Sequence, residues 1–458
     1  MHAMRPGVVL GLGFLTAAAT FGCSNTTGGG NPHSSGCSIA VKDATYSPTI
    51  GTVGIVTWST TLARVDKAQI DFGLDTNYGL VAPVDLEQRD YRTPLLGMKE
   101  NRGPYHFRVT AQTGQTTCVG EDHTFNKNTG ARPSDLAVPT VTTYDKSALD
   151  GGFLITVGYW ANSPDDYAFI LDGDGDFVWW YKPVGFGDLS AALMSYDGNS
   201  IWIAHTDVPE VEARVGRIRM DGTGWTDLRA EFVHQDHDLA VLPDETVIYL
   251  AYSGNECDDI VERSPDGTKR TIINTGVVFG NPIVCHSNAI QYSPWDDTVV
   301  VSDDDFSAYF KVDRHGAIKW VLNGGEWGSF DKSGGGATGW VGNHNFHLLG
   351  PDRIVFFNNG VDGVIDGVPA VAREIQLDLA AMTTTEIWSY TAEPPMSSAI
   401  LGDVERLPNG NTMVAYSENG TIQEVSPEGT LLQEISFGAK KAVGYITKRK
   451  SLYGSPPR

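Results

Sequence analysis

The hydrophobic positions fall into two alternating patterns over most of the chain. The first is an apolar run, broken little or not at all, that ends in polar residues. It reads FLITVGYW from Phe153, SIWIAHTD from Ser200, TVIYLAYS from Thr246, TVVVSDDD from Thr298, RIVFFNNG from Arg353 and NTMVAYSE from Asn411. Runs of this length bounded by turn residues are strands buried on both faces. The second pattern is a strand, a tight turn with Asp or Ser ahead of Gly, and another strand that often carries Trp. It reads ILDGDGDFVWWY, IRMDGTGWTDL, VERSPDGTKRTI, FKVDRHGAIKWV and EVSPEGTLLQEI, and IQLDLAAMTTTEIWSY is a copy without the Gly. Each pattern occurs six times. One such unit cannot bury both of its faces alone, and radial stacking of several can. The pattern therefore predicts an all-β chain with a six-bladed β-propeller over 132–447.

Residues 37–127 have a different rhythm. VGIVTWST, AQIDFG and YHFRVTAQT alternate apolar and polar positions between Gly, Pro and Asn turns. Alternation marks strands with one face on a core and one in water. The expectation is a small β-sandwich of immunoglobulin or fibronectin type. His106 and His123 stand alone in it and read as structural.

Composition narrows the picture. The formal charge is −23 with no basic cluster ahead of the last residues, which argues against nucleic-acid binding. At the N-terminus Arg5 precedes an apolar run, Val8 to Phe21, that is short for a bilayer span. Gly22-Cys23 and a Ser/Gly tract follow. Residues 1–22 read as an export signal, Cys23 as the lipidated first residue of a lipoprotein, and 23–36 as a tether. The protein is expected to be periplasmic, at the cell surface or secreted, with the membrane touched only through that lipid. Four cysteines remain. Cys37 and Cys118 bracket the first domain, and Cys257 and Cys285 lie close together in the repeat, so two disulfides are expected in an oxidising compartment. Asp172-Gly-Asp-Gly-Asp176 resembles the start of a calcium loop, but Pro183 stands where the last acidic ligand belongs. It reads as a blade turn, and neither metal nor cofactor is expected.

The repeat gives the histidines meaning. His237 lies as far ahead of Thr246 as His344 lies ahead of Arg353, and His286-Ser-Asn288 leads into the strand at Thr298. Ser397-Ser398 occupies the matching place in the last unit. Equivalent positions of successive blades converge on the axis. Three imidazoles, an amide and a hydroxyl there would bind an anion and move protons. His205, His234, His315 and His347 lack the full pattern and read as structural or as supports behind the site.

At these residues the chain from His237 to Phe437 resembles the bacterial arylsulfate sulfotransferase family. The matching stretches are His286-x-Asn288-x-Ile290, Ser307-Ala-x-x-Lys311-x-Asp313-Arg314, Lys319-Trp-x-Leu-x-Gly-Gly325 and Gly339-Trp-Val-Gly-Asn-His-Asn345. Phe356-Phe-Asn-Asn-Gly360 and Arg406-Leu-Pro-Asn-Gly-Asn-Thr412 also fit. The resemblance implies ping-pong sulfuryl transfer from a phenolic sulfate to a phenol through a sulfohistidine, without a cofactor. It makes His344 the nucleophile, His286 and Asn288 the holders of the sulfuryl oxygens, and His237 the partner of the phenolic oxygen. Ser398 stands where the family has a hydroxyl near the sulfate. One residue departs: Asp304 occupies the place of a family Arg, so a carboxylate stands where a guanidinium grips the anion. The alternative is a propeller without transferase activity, a ligand-binding scaffold or a His/Asp metal site.

Overall fold

The computed structural model describes residues 36–160, 166–205, 215–253, 257–280, 285–325, 328–331, 339–360, 368–438 and 441–455. The expected signal (1–22), Cys23 and all of the tether (23–36) but Gly36 lie outside the described residues, as does most of 326–338. Among the described residues the chain is all-β except for one short helix, Thr275–Phe279, and three 3-10 turns.

The N-terminal part holds two antiparallel sheets. One pairs Ile39–Tyr46 with Gly54–Thr60 and Thr93–Leu95; the other runs Gly79–Pro83, Lys67–Gly73, His106–Thr113, Thr116–Val119. The alternation read from the sequence appears as alternating burial. In Lys67–Gly73, Ala68, Ile70 and Phe72 point inward and meet Val56, Trp58 and Phe107 in one core. Cys37 and Cys118 each take part in a disulfide.

Six antiparallel sheets follow among the described residues, each of four or five strands. The third, fourth and fifth are built in chain order from Gln235–Val241, Ser287–Ser293 and Asn343–Gly350 outward. The apolar runs are the second strands: Thr298–Asp303 is buried at every residue, as is Ser200–His205. They are apolar on both faces because sheets pack on both sides. Val299 and Val301 of the fourth sheet share a core with Ile248 and Leu250 of the third. Each such valine contributes about 1.5–3 kcal/mol by leaving water.

The first sheet has a composite origin. Phe153–Trp160 pairs on one edge with Tyr167–Asp172 and on the other with Lys441–Val443 and Thr447–Arg449. Thr140–Thr143 is the outer strand of the sixth sheet, beside Leu431–Ser436. The sequence pattern carries no sign of this exchange.

Hydrogen bonds join the first strand of each sheet, or the segment beside it, to the next sheet. Tyr445 N–H donates to Ser190 O (2.8 Å) and Ser190 Oγ to His237 O (2.5 Å). Ile290 N–H donates to Asp238 Oδ2 (3.0 Å), Asn288 Nδ2 to Asn343 O (2.8 Å) and Asn345 N–H to Gly402 O (3.2 Å). Ile446 N–H donates to Asp403 Oδ2 (2.7 Å), returning from the sixth sheet to the C-terminal strands of the first.

The calcium-like turn holds a different cation. Lys99 Nζ lies 3.0, 2.9 and 2.7 Å from carboxylate oxygens of Asp172, Asp174 and Asp176. A lysine from the N-terminal part fills the place where the three carboxylates converge and pins that part to the first sheet.

Candidate active site

The histidine-bearing segments are first strands themselves, where the sequence suggested segments leading into strands. Each departs from regular pairing where its polar residues sit. The register slips between Ser287 and Ala289, between Asp236 and Leu239, and between Asn343 and Phe346. A β-bulge re-aims side chains that a regular strand would send to alternate faces. Here the bulges carry Asn288, His237 with Asp238, and His344 with Asn345. His237 pays in conformation: its φ is 45°, in the left-handed region where a side chain costs about 1–3 kcal/mol.

His344 is buried and its ring is fixed by one neutral partner. Asn359 Nδ2 donates to the carbonyls of Ser398 and Leu401, both at 2.8 Å. That turns Asn359 Oδ1 toward His344 Nδ1, 2.9 Å away. Oδ1 can only accept, so Nδ1 carries the proton and Nε2 of the neutral ring keeps its lone pair. Burial holds the His344 pKa down to about 4, against the opposing pull of Asp304 and the Asn359 hydrogen bond. The ring is neutral near pH 7 and presents a nucleophilic nitrogen.

His237 and His286 form a pair. Their Nε2 atoms are 3.2 Å apart and the rings meet edge to face, centroids 4.9 Å apart. Behind them, Asp236 Oδ1 lies 2.7 Å from His237 Nδ1. His286 is the exposed member, while Asp236 and His237 are half-buried. Desolvation first, and the His237 ring second, lower the His286 pKa to about 4, with Asp236 opposing. Burial pushes the Asp236 carboxyl up, but the facing imidazoles outweigh it and leave it below its usual value.

The remaining expected site residues support this group. Asn288 is fully buried and its amide donates to Asn343 O, the carbonyl just before His344. Asp304 Oδ1 accepts the Asn343 N–H at 2.9 Å, and the Asp304 N–H donates to His286 O at 2.8 Å. Ser398 is buried; its Oγ donates to Ile400 O (3.0 Å) and accepts the Glu418 N–H (3.2 Å), and its carbonyl receives Asn359. Asn288, Asp304 and Ser398 thus bind the backbone around His286 and His344. Cys285, bonded to Cys257, immediately precedes His286.

Residues 281–438 contain all of these but Asp236, His237 and Cys257. Residues 281–438 match the family model described as arylsulfotransferase (ASST). The arylsulfotransferase match takes in His286, Asn288, Asp304, His344, Asn359 and Ser398, and it agrees with the motif resemblance. No curated protein matches the chain. Among solved structures, TolB from Acinetobacter baumannii is 13% identical with a TM-score of 0.43, covering 76% of this chain and 81% of its own. A protein of unknown function from Bacteroides caccae is 12% identical with a TM-score of 0.41, covering 65% and 98%. A putative 6-phosphogluconolactonase from Bacteroides fragilis is 14% identical with a TM-score of 0.40, covering 65% and 98%.

Two residues of the candidate site escaped the sequence reading. Asn359 lies inside the quoted Phe-Phe-Asn-Asn-Gly motif, but nothing in a motif says which amide faces a histidine. Asp236 adjoins His237, and only the bulge brings its carboxylate onto the ring. The other reserved histidines take structural partners where these are seen: half-buried His347 accepts the Arg406 N–H at Nδ1 (3.1 Å), and His234 O accepts the Tyr252 N–H (2.8 Å).

Proposed function

We propose that the protein is an exported arylsulfotransferase that moves a sulfuryl group from a phenolic sulfate to a phenol through a sulfohistidine at His344. The observation that carries this is the fixed neutral tautomer of His344, with Nδ1–H held by Asn359 and Nε2 left as a lone pair. In the first half-reaction Nε2 attacks sulfur, the S–O(aryl) bond breaks, and its electron pair leaves on the phenolate. The phenolate leaves past the His237–His286 pair and takes its proton from water. In the second half-reaction an acceptor phenol gives its proton to the pair, which releases it to water, its oxygen attacks sulfur, and the S–N electron pair goes back to Nε2. Splitting the transfer in two lets one nucleophile serve both phenols. The sulfated ring keeps Nδ1–H on Asn359 Oδ1. It carries a positive charge, which the nearby Asp304 carboxylate favours.

In this reading the six sheets are the blades of a closed six-bladed β-propeller, preceded by a β-sandwich of immunoglobulin or fibronectin type. The cycle of hydrogen bonds from each first strand to the next supports closure, and the shared core of the two N-terminal sheets supports the sandwich. The protein acts outside the cytoplasm, with Cys23 as its lipid attachment point, and the Cys257–Cys285 bridge suits an oxidising compartment.

The metal-site alternative has less support. Among the described residues, the ligand atoms of the axial histidines do not converge with a third His, Cys, Asp or Glu as a metal site requires, and the one acidic trio that converges holds Lys99. The test is incubation with a chromogenic aryl sulfate and a phenol. The reading expects phenol release, a sulfated acceptor and a sulfated His344 peptide by mass spectrometry; absence of all three overturns it.

A further inference from the structure

We infer that Val341 and Ile400 are the walls that hold the aryl group, and that they make the site select apolar aromatic sulfates and phenols over aliphatic ones. The inference rests on the transferase reading and deepens it. The residues around His344 described so far bind backbone or one another, and the ring of an aryl sulfate needs an apolar surface.

Asn359 joins both residues to the nucleophile. Its side chain holds the His344 ring and donates to the carbonyls of Ser398 and Leu401, and its own N–H donates to Gly342 O (3.0 Å). Val341 precedes Gly342, and Ile400 precedes Leu401. Each therefore stands one residue from a carbonyl that Asn359 holds. On their other flanks the same core draws the two segments together, since Trp340 and Leu401 belong to one cluster.

Both side chains nevertheless remain in water. Val341 is 47% exposed and Ile400 48%, while Trp340, Gly342, Ser398 and Leu401 around them are buried. An exposed apolar side chain standing singly is ordinary. Here there are two, and their backbone is fixed. Trp340 Nε1 donates to Ser307 O (3.0 Å) and the Gly342 N–H to Ser307 Oγ (3.2 Å), which secures the chain on both sides of Val341. Ser398 Oγ donates to Ile400 O (3.0 Å) and the Ala399 N–H to Glu418 Oε2 (2.9 Å). Leu401 adopts a φ of 52°, which side chains rarely take, in a turn that buries Leu401 and leaves Ile400 outside. Two branched aliphatic side chains are thus held open on segments tied to the nucleophile, the lining that a site for an apolar ligand requires. Neither offers a hydrogen bond, so contact with them favours a bare or alkyl-bearing ring and disfavours a polar substituent.

The test uses sulfonates, whose C–S bond the transfer does not break. Kd is measured for naphthalene-2-sulfonate by calorimetry and for methanesulfonate by competition, in wild type, Val341→Ser, Ile400→Ser and the control Val184→Ser, which trims a side chain 83% exposed on another sheet. Wild type is expected to bind the naphthalene compound more tightly than methanesulfonate. Val341→Ser and Ile400→Ser should each weaken it roughly three- to tenfold and leave methanesulfonate unchanged; Val184→Ser should change neither. With naphthyl sulfate as donor, KM should rise by a similar factor and kcat change little. The inference is overturned if naphthalene-2-sulfonate binds no more tightly than methanesulfonate, if neither variant weakens it, or if methanesulfonate or the control weakens equally. Those results leave the transferase reading standing. Naphthalene-2-sulfonate bound through Val341 and Ile400, with no transfer from any aryl sulfate, would end the transferase reading and leave the aryl walls in place.

Discussion

Two imidazole environments stand side by side in this protein, and they differ in what holds the inner nitrogen. His344 gives its Nδ1–H to a neutral amide that is itself tied down by two carbonyls. His237 has a carboxylate oxygen 2.7 Å from its Nδ1 and a second ring 3.2 Å from its Nε2. An amide fixes the tautomer and adds little charge, so the His344 ring stays neutral and nucleophilic. A carboxylate adds a counter-charge that opposes the desolvation holding the His286 ring near 4. The same side chain becomes nucleophile or acid–base according to its neighbour.

The most damaging way to break the comparison is to remove the nucleophile. His344→Asn is expected to lower turnover by about three to four powers of ten and to abolish the sulfated peptide, read by rate and mass spectrometry. Making the two environments alike is the next test. Asn359→Asp replaces the amide by a carboxylate, and the expected result is roughly a hundredfold lower kcat with a small change in KM, since a positive ring has no lone pair to offer.

A smaller effect is expected at Asp304, whose carboxylate repels a sulfate while it braces Asn343. Asp304→Asn keeps an acceptor for the Asn343 N–H and removes the charge. The expected outcome is a KM for aryl sulfate lower by roughly tenfold; an unchanged or raised KM would mean that Asp304 serves the sulfated intermediate more than it hinders binding.

The mildest test concerns stability. Asp238, Asp303 and Asp403 are buried, and burial raises their carboxyls to about 7, 7 and 8. A raised carboxyl contributes stability that is full below its unfolded value and is lost as pH rises through the folded value. His286 and His344, lowered to about 4, work the other way and lose stability as pH falls from about 6.5 toward 4. The two sets oppose each other below about 6.5, and only the acids act above it. The denaturation midpoint should therefore decline between pH 6.5 and about 8, by a few degrees, and Asp403→Asn should flatten the decline.

Much of this arrangement can be read from the chain, and the parts that cannot share a cause. Periodicity marks the buried second strands, because apolar runs such as Thr298 to Val301 record burial on both faces directly. Repeat alignment finds His237, His286 and His344, because equivalent positions end up near one another. The roles of Asn288 and Ser398 are less legible. Sequence names them as partners of an anion, whereas their hydrogen bonds go to backbone beside His344 and Asn359. Direction within a bulge is set by one slipped register, and no pattern of residue types encodes it. Asp236 and Asn359 are missed for the same reason.

The sheet holding Phe153–Trp160 waits for Lys441–Val443 and Thr447–Arg449 to supply its remaining edge. During synthesis that edge stays open while most of the other sheets are being made. An unpaired strand edge invites pairing with another chain. The last strands to emerge thus decide when the first sheet ceases to be adhesive, and the timing of their arrival sets how long a nascent molecule needs protection from its neighbours.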